Sequence, residues 1–338
     1  MNRSLSKTIS YIVFALIGVG LLIFVFKDVD LAAMWNDITH ANYWYVAVAL
    51  ILAMGGYVFR AARWSLLIES TCDHTPRFGN VFWAEMFGYF ANMALPRIGE
   101  ITRCGALTKT EKLPFDKLIG TVIVERMFDV LMMLILAVVT FFIKIDFFGA
   151  FILDKIITPT FSRFSEFNLL WIITVSVISI VIFCVFVYYL RKGNRLSEKI
   201  LSFIKGVIDG FSSVRKLKKR GLFIIYTFLL WLCYWLMTWA VCFAIPQTAN
   251  MTIIDGLFLL IVGSIGMSIP VQGGIGAYHY IVALALTIYG FDFNTVGLLY
   301  ATISHESQLI VEIILGLASV YFVFRKKQSD ESTGNNIA

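Results

Sequence analysis

Nine long apolar runs set the terms for this 338-residue chain: Ile9–Phe26, Trp44–Phe59, Phe78–Leu95, Leu118–Ile143, Leu169–Leu190, Leu222–Ile245, Ile253–Ile269, Ala277–Tyr289 and Val296–Phe324. Strands of a soluble sheet are far shorter, and several of these runs reach the roughly 20 residues a helix needs to cross lipid. Composition points the same way. Apolar residues make up 59% of the chain and charged residues 15%, against about 45–50% and about 25% in soluble domains. A soluble enzyme, a disordered chain and a fibrous protein are excluded, and a transmembrane barrel would alternate in segments of about ten residues. The expectation is an all-α polytopic membrane protein.

Which runs cross is read from loop charge, because Lys and Arg collect on the cytoplasmic side. Lys27–Tyr43 carries Asp28, Asp30 and Asp37 against one Lys, and reads as external. Arg60, Arg63 and Arg77 mark the next loop as internal, and Arg97, Arg103, Lys109, Lys112 and Lys117 mark the following stretch as internal too. Two successive internal loops make Phe78–Leu95 and Ile98–Leu107 the arms of a re-entrant hairpin. Arg191–Arg220 holds ten basic residues against Glu198 and Asp209, while Pro246–Asp255 has no basic residue. Ile253–Ile269 and Ala277–Tyr289 are short for spans, and the break Pro270–Gly276 between them reads as a second hairpin, entered from outside.

The result is about six full spans and two hairpins in a single domain over residues 1–338, with both termini cytoplasmic. Inverted-topology repeats would cover about 5–145 and 168–325, and 326–338 would be a disordered cytoplasmic tail. Inverted repeats with broken helices occur in many secondary transporters. Arg3 and Lys7 precede the first run and no small-residue cleavage site follows it, which reads as an uncleaved span. The net charge of +6 lies beside the runs, as membrane orientation requires, and does not suggest nucleic-acid binding. The five cysteines form no CxxC pair, so neither disulfide, metal nor cofactor is expected.

Four polar clusters stand out. Pro96 and Gly99 break the first hairpin, where Arg97, Glu100 and Arg103 recur every three residues and would share one side of a helix starting after Pro96. Glu125, Arg126 and Asp129 lie inside Leu118–Ile143. Charges there cost about 2.5–3.5 kcal/mol each on insertion scales and must face a cavity or a partner. Two acids beside one base need a further cation, for which Arg97 or Arg103 is the candidate; Glu85 is another candidate buried acid. Gln272, Gly273, Gly274 and Gly276 form the second break, where close backbone approach and a half-helix N-terminus suit an anion. His305, Gln308, Glu312 and Gly316 form one stripe on the last run, with Glu306 at its edge, and His305, Glu306 and Glu312 are candidates for proton coupling. There is no P-loop, HExxH or GxSxG pattern.

At Leu95-Pro96-Arg97-Ile98-Gly99-Glu100 through Arg103, at Val124-Glu125-Arg126-Met127-Phe128-Asp129 and at Pro270-Val271-Gln272-Gly273-Gly274-Ile275-Gly276 the sequence resembles the lysylphosphatidylglycerol synthase transmembrane family, also called UPF0104. The likeness covers roughly residues 5–325. That family includes the membrane half of the multiple peptide resistance factor, which moves aminoacylated phosphatidylglycerol between leaflets. The resemblance implies a lipid-translocating domain of the inner membrane with two re-entrant hairpins. Such a domain would bind a lipid with an anionic or zwitterionic headgroup and work beside a separate lipid-modifying enzyme. No counterpart of the soluble synthase domain is seen, so aminoacyl-lipid synthesis is not expected. The family often carries an acid soon after the glycine run, where Tyr278 and His279 stand here.

The leading expectation is therefore a flippase whose phosphate site uses Arg97, Arg103 and Arg126, with Glu100, Glu125 and Asp129 positioning them. An intramembrane enzyme on a lipid-linked substrate, or a non-transporting partner of an envelope-lipid synthase, are the alternatives.

Overall fold

The computed structural model describes residues 18–72, 75–145 and 217–325, and all the regular structure among them is helical. The chain divides into two units, Met1–Met133 with Leu217–Ala338, and Leu134–Lys216; all four polar clusters belong to the first. The run Leu169–Leu190, nearly all of Arg191–Arg220, the junction of the two repeats and the tail 326–338 lie outside the described residues.

Residues 18–26 form α1, the end of the first run. The stretch with an external loop's charge contains a further helix, α2 (Leu31–His40). Asp30 starts it, with Oδ1 accepting from the backbone N–H groups of Ala32 and Ala33 at 3.0 Å each, a side-chain cap for donors that have no partner in the first turn. Helix α3 (Tyr43–Cys72) has 30 residues and continues well beyond Phe59, the end of the apolar run. Arg60 and Arg63 are thus not loop residues. No glycine or proline stops the helix there, and both guanidinium groups are buried within the protein.

The first break is a hairpin of two short helices, α4 (Phe78–Ala94) and α5 (Gly99–Glu111). At its base Asn80 Nδ2 and the Arg77 backbone N–H donate to Glu111 Oε1, at 2.6 and 3.1 Å. At its tip the Gly99 N–H donates to Asn92 Oδ1 at 2.7 Å. Gly88 and Gly99 face each other across the pair, and a Cβ on Gly88 would stand 2.9 Å from the Gly99 carbonyl. Arg97 lies in the turn at φ 61°, before the helix begins at Gly99, so Arg97, Glu100 and Arg103 do not share a helix side as the spacing suggested.

Helix α6 (Phe115–Ile143) follows, and α7 (Arg220–Cys242) packs along α3. The second break has the same plan as the first. Helix α8 (Ile253–Ser268) begins with a reciprocal cap between Thr252 and Asp255 and packs on α9 (Ala277–Thr287). Tyr289 meets Phe258 at the base, and Tyr278 lies against Gly263 and Gly266 near the tip. Gly273, Gly274 and Gly276 all have positive φ. A π-turn, Phe293–Gly297, leads into α10 (Leu298–Phe324), which packs on α4 and α9.

Among the described residues, three helical stretches are long and apolar enough to cross a membrane: Tyr43–Cys72, Arg220–Cys242 and Phe293–Phe324. On α10, Ile310, Ile314, Leu317 and Tyr321 are exposed at intervals of four, three and four, one stripe on the helix surface. The opposite side carries the buried residues His305, Gly316, Ser319 and Val323. Apolar outside and polar within is the arrangement lipid requires.

Candidate functional site

An ion network joins four helices in the protein interior. Arg60 and Arg63 come from α3, Glu85 from α4, Arg103 from α5, and Glu125, Arg126 and Asp129 from α6. Glu125 is its hub. Its Oε1 accepts from Arg60 Nε at 3.1 Å, Arg63 Nη2 at 3.2 Å and Arg126 Nη2 at 3.0 Å, and its Oε2 from Arg103 Nη2 at 2.9 Å. Asp129 takes Arg60 Nη2 at 2.8 Å and Arg63 Nη2 at 2.7 Å, with Arg126 Nη2 at 3.6 Å. Arg103 also donates to Glu85, and its guanidinium lies over the Trp64 ring, 4.4 Å from the centroid. Arg60 Nη1 donates to the Tyr234 hydroxyl on α7 at 2.9 Å. Trp64 Nε1 in turn donates to Thr121 Oγ1 at 2.9 Å.

Among the described residues, four guanidinium groups meet three carboxylates in this network, so one positive charge is in excess there when all are ionised. Arg126 is where that excess reaches the surface. Its side chain is 42% exposed, against 8% for Arg60, 0% for Arg63 and 3% for Arg103. Arg126 Nε, Arg103 Nε, and Arg63 Nε and Nη1 have no hydrogen-bond partner among the described residues.

The sequence placed Glu125, Arg126 and Asp129 together and named Arg103 as a further cation; the structure brings these four together. Arg97 is elsewhere. Its Nη2 donates to the Ser268 carbonyl, one of the terminal carbonyls of α8 that the helix leaves unpaired. This contact ties the tip of the first hairpin to the second break. Glu100 sits in the first turn of α5, and its Oε2 has no partner among the described residues. Sequence reasoning misses Arg60 and Arg63 as site residues because they read as loop charges. The signal is present: Ala61, Ala62, Trp64 and Leu66–Ile68 continue the apolar pattern past both arginines.

The second break meets α10. His305 Nε2 lies 2.8 Å from the Gly273 carbonyl, and His305 Nδ1 lies 3.0 Å from Glu306 Oε1. His279 Nε2 is 3.4 Å from the same oxygen. Glu306 of α10 thus brings a carboxylate to His279, near the start of α9 beyond the glycine run. Gln272 lies against Gly18 of α1, and Gly276 against Leu21 and Leu22. Gly274 packs under Met267 and near His305. Glu312 accepts from the Tyr57 hydroxyl at 3.0 Å. Gly316 admits Phe90 of α4.

Apolar helices around a buried charge network, with two helical breaks whose tips touch, define a helical membrane domain built about a polar interior. The chain belongs to the family of the lysylphosphatidylglycerol synthase TM region, whose model matches residues 11–316. It is 22% identical over 310 residues to the UPF0104 membrane protein MJ1595 of Methanocaldococcus jannaschii, an alignment that covers 86% of this chain and 87% of that one. No solved structure matches the chain.

Proposed function

We propose that this protein is a lipid transporter of the inner membrane that moves an anionic or zwitterionic headgroup from one leaflet to the other. The observation that carries the reading is the excess positive charge of the interior network and its emergence at Arg126. An uncompensated positive charge inside a span is costly, and a transient anion would relieve it. Arg126 would grip the headgroup phosphate through its planar fork, while Glu125 and Asp129 hold it in the absence of lipid. The acyl chains would stay in the bilayer, and a separate enzyme would make or modify the lipid. The family membership supports a lipid-related role.

The two hairpins support the transport reading. At about 1.5 Å per residue, α4 with 17 residues, α5 with 13, α8 with 16 and α9 with 11 are each shorter than the roughly 30 Å hydrocarbon core. We read both as re-entrant, entered from opposite faces, with irregular backbone only where it lines a polar interior.

The test uses proteoliposomes containing headgroup-labelled phosphatidylglycerol and an impermeant quencher. Wild-type protein should redistribute the label between leaflets without forming a new lipid, and Arg126→Gln should slow this at least tenfold. A new lipid species would favour an enzyme. No redistribution of phosphatidylglycerol, its lysylated form or phosphatidylethanolamine would leave a non-transporting partner.

A further inference from the structure

We propose that His279, His305 and Glu306 form a binding site for a divalent first-row transition ion of the zinc class. The sequence shows no spacing typical of a metal site, since His279 belongs to α9 and the other two to α10. The fold brings one ligand atom from each to within 4.8 Å of the others.

Hydrogen-bond accounting defines what lies between them. The Gly273 carbonyl can only accept, so His305 Nε2, 2.8 Å away, carries the hydrogen. In the neutral ring Nδ1 is then a bare lone pair, and it points at the Glu306 carboxylate, another electron-pair donor, at 3.0 Å. His279 Nε2 approaches the same oxygen at 3.4 Å. That separation is long for a charge-assisted hydrogen bond, which is about 2.7–2.9 Å. A tetrahedral ion with bonds of about 2.0–2.1 Å sets its donors about 3.4 Å apart. Hydrogens on both rings could share the one carboxylate oxygen, whereas a metal ion would take all three atoms as ligands.

Three further features fit. Two imidazoles and one carboxylate suit zinc and its neighbours, not calcium or magnesium, which take oxygen ligands. The contact from His305 Nε2 to a backbone carbonyl is the outer hydrogen bond that orients metal-bound histidines. The two rings are steeply inclined to each other at 5.1 Å and walled by Phe26 and Tyr278, while the Glu306 side chain is 39% exposed and gives an ion access. An ion here would join α9 to α10 beside Gly273 and leave a coordination position on the exposed side of Glu306.

The proposal does not depend on lipid transport, and its test contains no transported lipid. Untagged, metal-stripped protein in nanodiscs is titrated with Zn2+, and Co2+ serves as the spectroscopic probe. The wild type should bind one equivalent per chain. His279→Ala and Glu306→Gln should each weaken binding by roughly 100-fold or more, at least the upper end of what losing an outer-sphere partner costs. Unaltered melting of the metal-free variants would show that the loss is local. Substitution with Cu2+ and electron paramagnetic resonance counts nitrogen ligands in the wild type itself, so the outcome stands if a variant fails to fold. Two imidazole nitrogens support the site. Absence of a bound equivalent, fewer than two nitrogens, or wild-type affinity in either folded variant overturns it.

Discussion

Glu125 touches four guanidinium groups and has no exposed surface, so its charge holds α3, α5 and α6 to one point. Glu125→Gln keeps the shape and removes the charge, leaving four arginines facing two acids. Breaking a buried pair from one side costs about 3–5 kcal/mol, and denaturant unfolding in mixed micelles should show a loss of that size. Arg126 responds differently, because its side chain is the most exposed of the four arginines. Arg126→Lys retains one charge for Glu125 and loses the two-bond grip on phosphate. It should melt close to wild type yet translocate headgroup-labelled lipid poorly; wild-type transport by this variant would make Arg126 a structural residue. The sequence made Glu125, Arg126 and Asp129 conspicuous, since charges inside an apolar run have nowhere to go. It hid Arg60 and Arg63, because a charge near a run's end looks the same whether it is solvated or buried against a partner far along the chain.

At the scale of elements, the breaks were visible where chemistry forces them. Pro96 and Gly99 end one helix and begin another, and three glycines with positive φ make the second turn. Helix α2 was not visible, because its ten residues lack a long apolar pattern and its one clear signal, the Asp30 cap, looks like an acidic loop residue. The close approach of α4 and α5 also depends on shape that composition does not encode. A Cβ on Gly99 would collide with the Gly88 backbone carbonyl, which has little room to yield, and with the Asn92 side-chain amide. Gly99→Val should therefore push the hairpin arms apart, displace Arg103 from Glu85 and Glu125, and abolish transport. Circular dichroism should still report a helical protein, while the unfolding midpoint falls. Gly276→Leu tests the second break: its φ of 80° and its contact with Leu21 and Leu22 leave no unstrained place for a side chain. Membrane insertion should persist and lipid movement should be lost.

For the whole molecule, the sequence assigned sidedness from loop charges, and the structure changes what those charges mean. Arg60 and Arg63 no longer count as loop residues, since they are neutralised inside the protein. What remains beside the first hairpin is Arg77 where the chain enters it and Lys109, Lys112 and Lys117 where it leaves, still basic at both ends. The hydrogen bonds from the Arg77 N–H and Asn80 to Glu111 hold those ends side by side, as the proposed re-entrant hairpin requires. The second hairpin has its base at Thr252 and Tyr289, flanked by Asp255 and Asp292 and by no Lys or Arg between residues 246 and 292. In the proposed topology the positive-inside rule would put the two bases on opposite faces. Single cysteines at Lys109 and at Asn250, in a background lacking the five natural cysteines, test this with an impermeant maleimide on intact cells. Asn250→Cys should label from outside, and Lys109→Cys only after permeabilisation. Labelling of both from outside would put the two hairpin bases on the same face, and the opposed hairpins on which the transport reading leans would be lost.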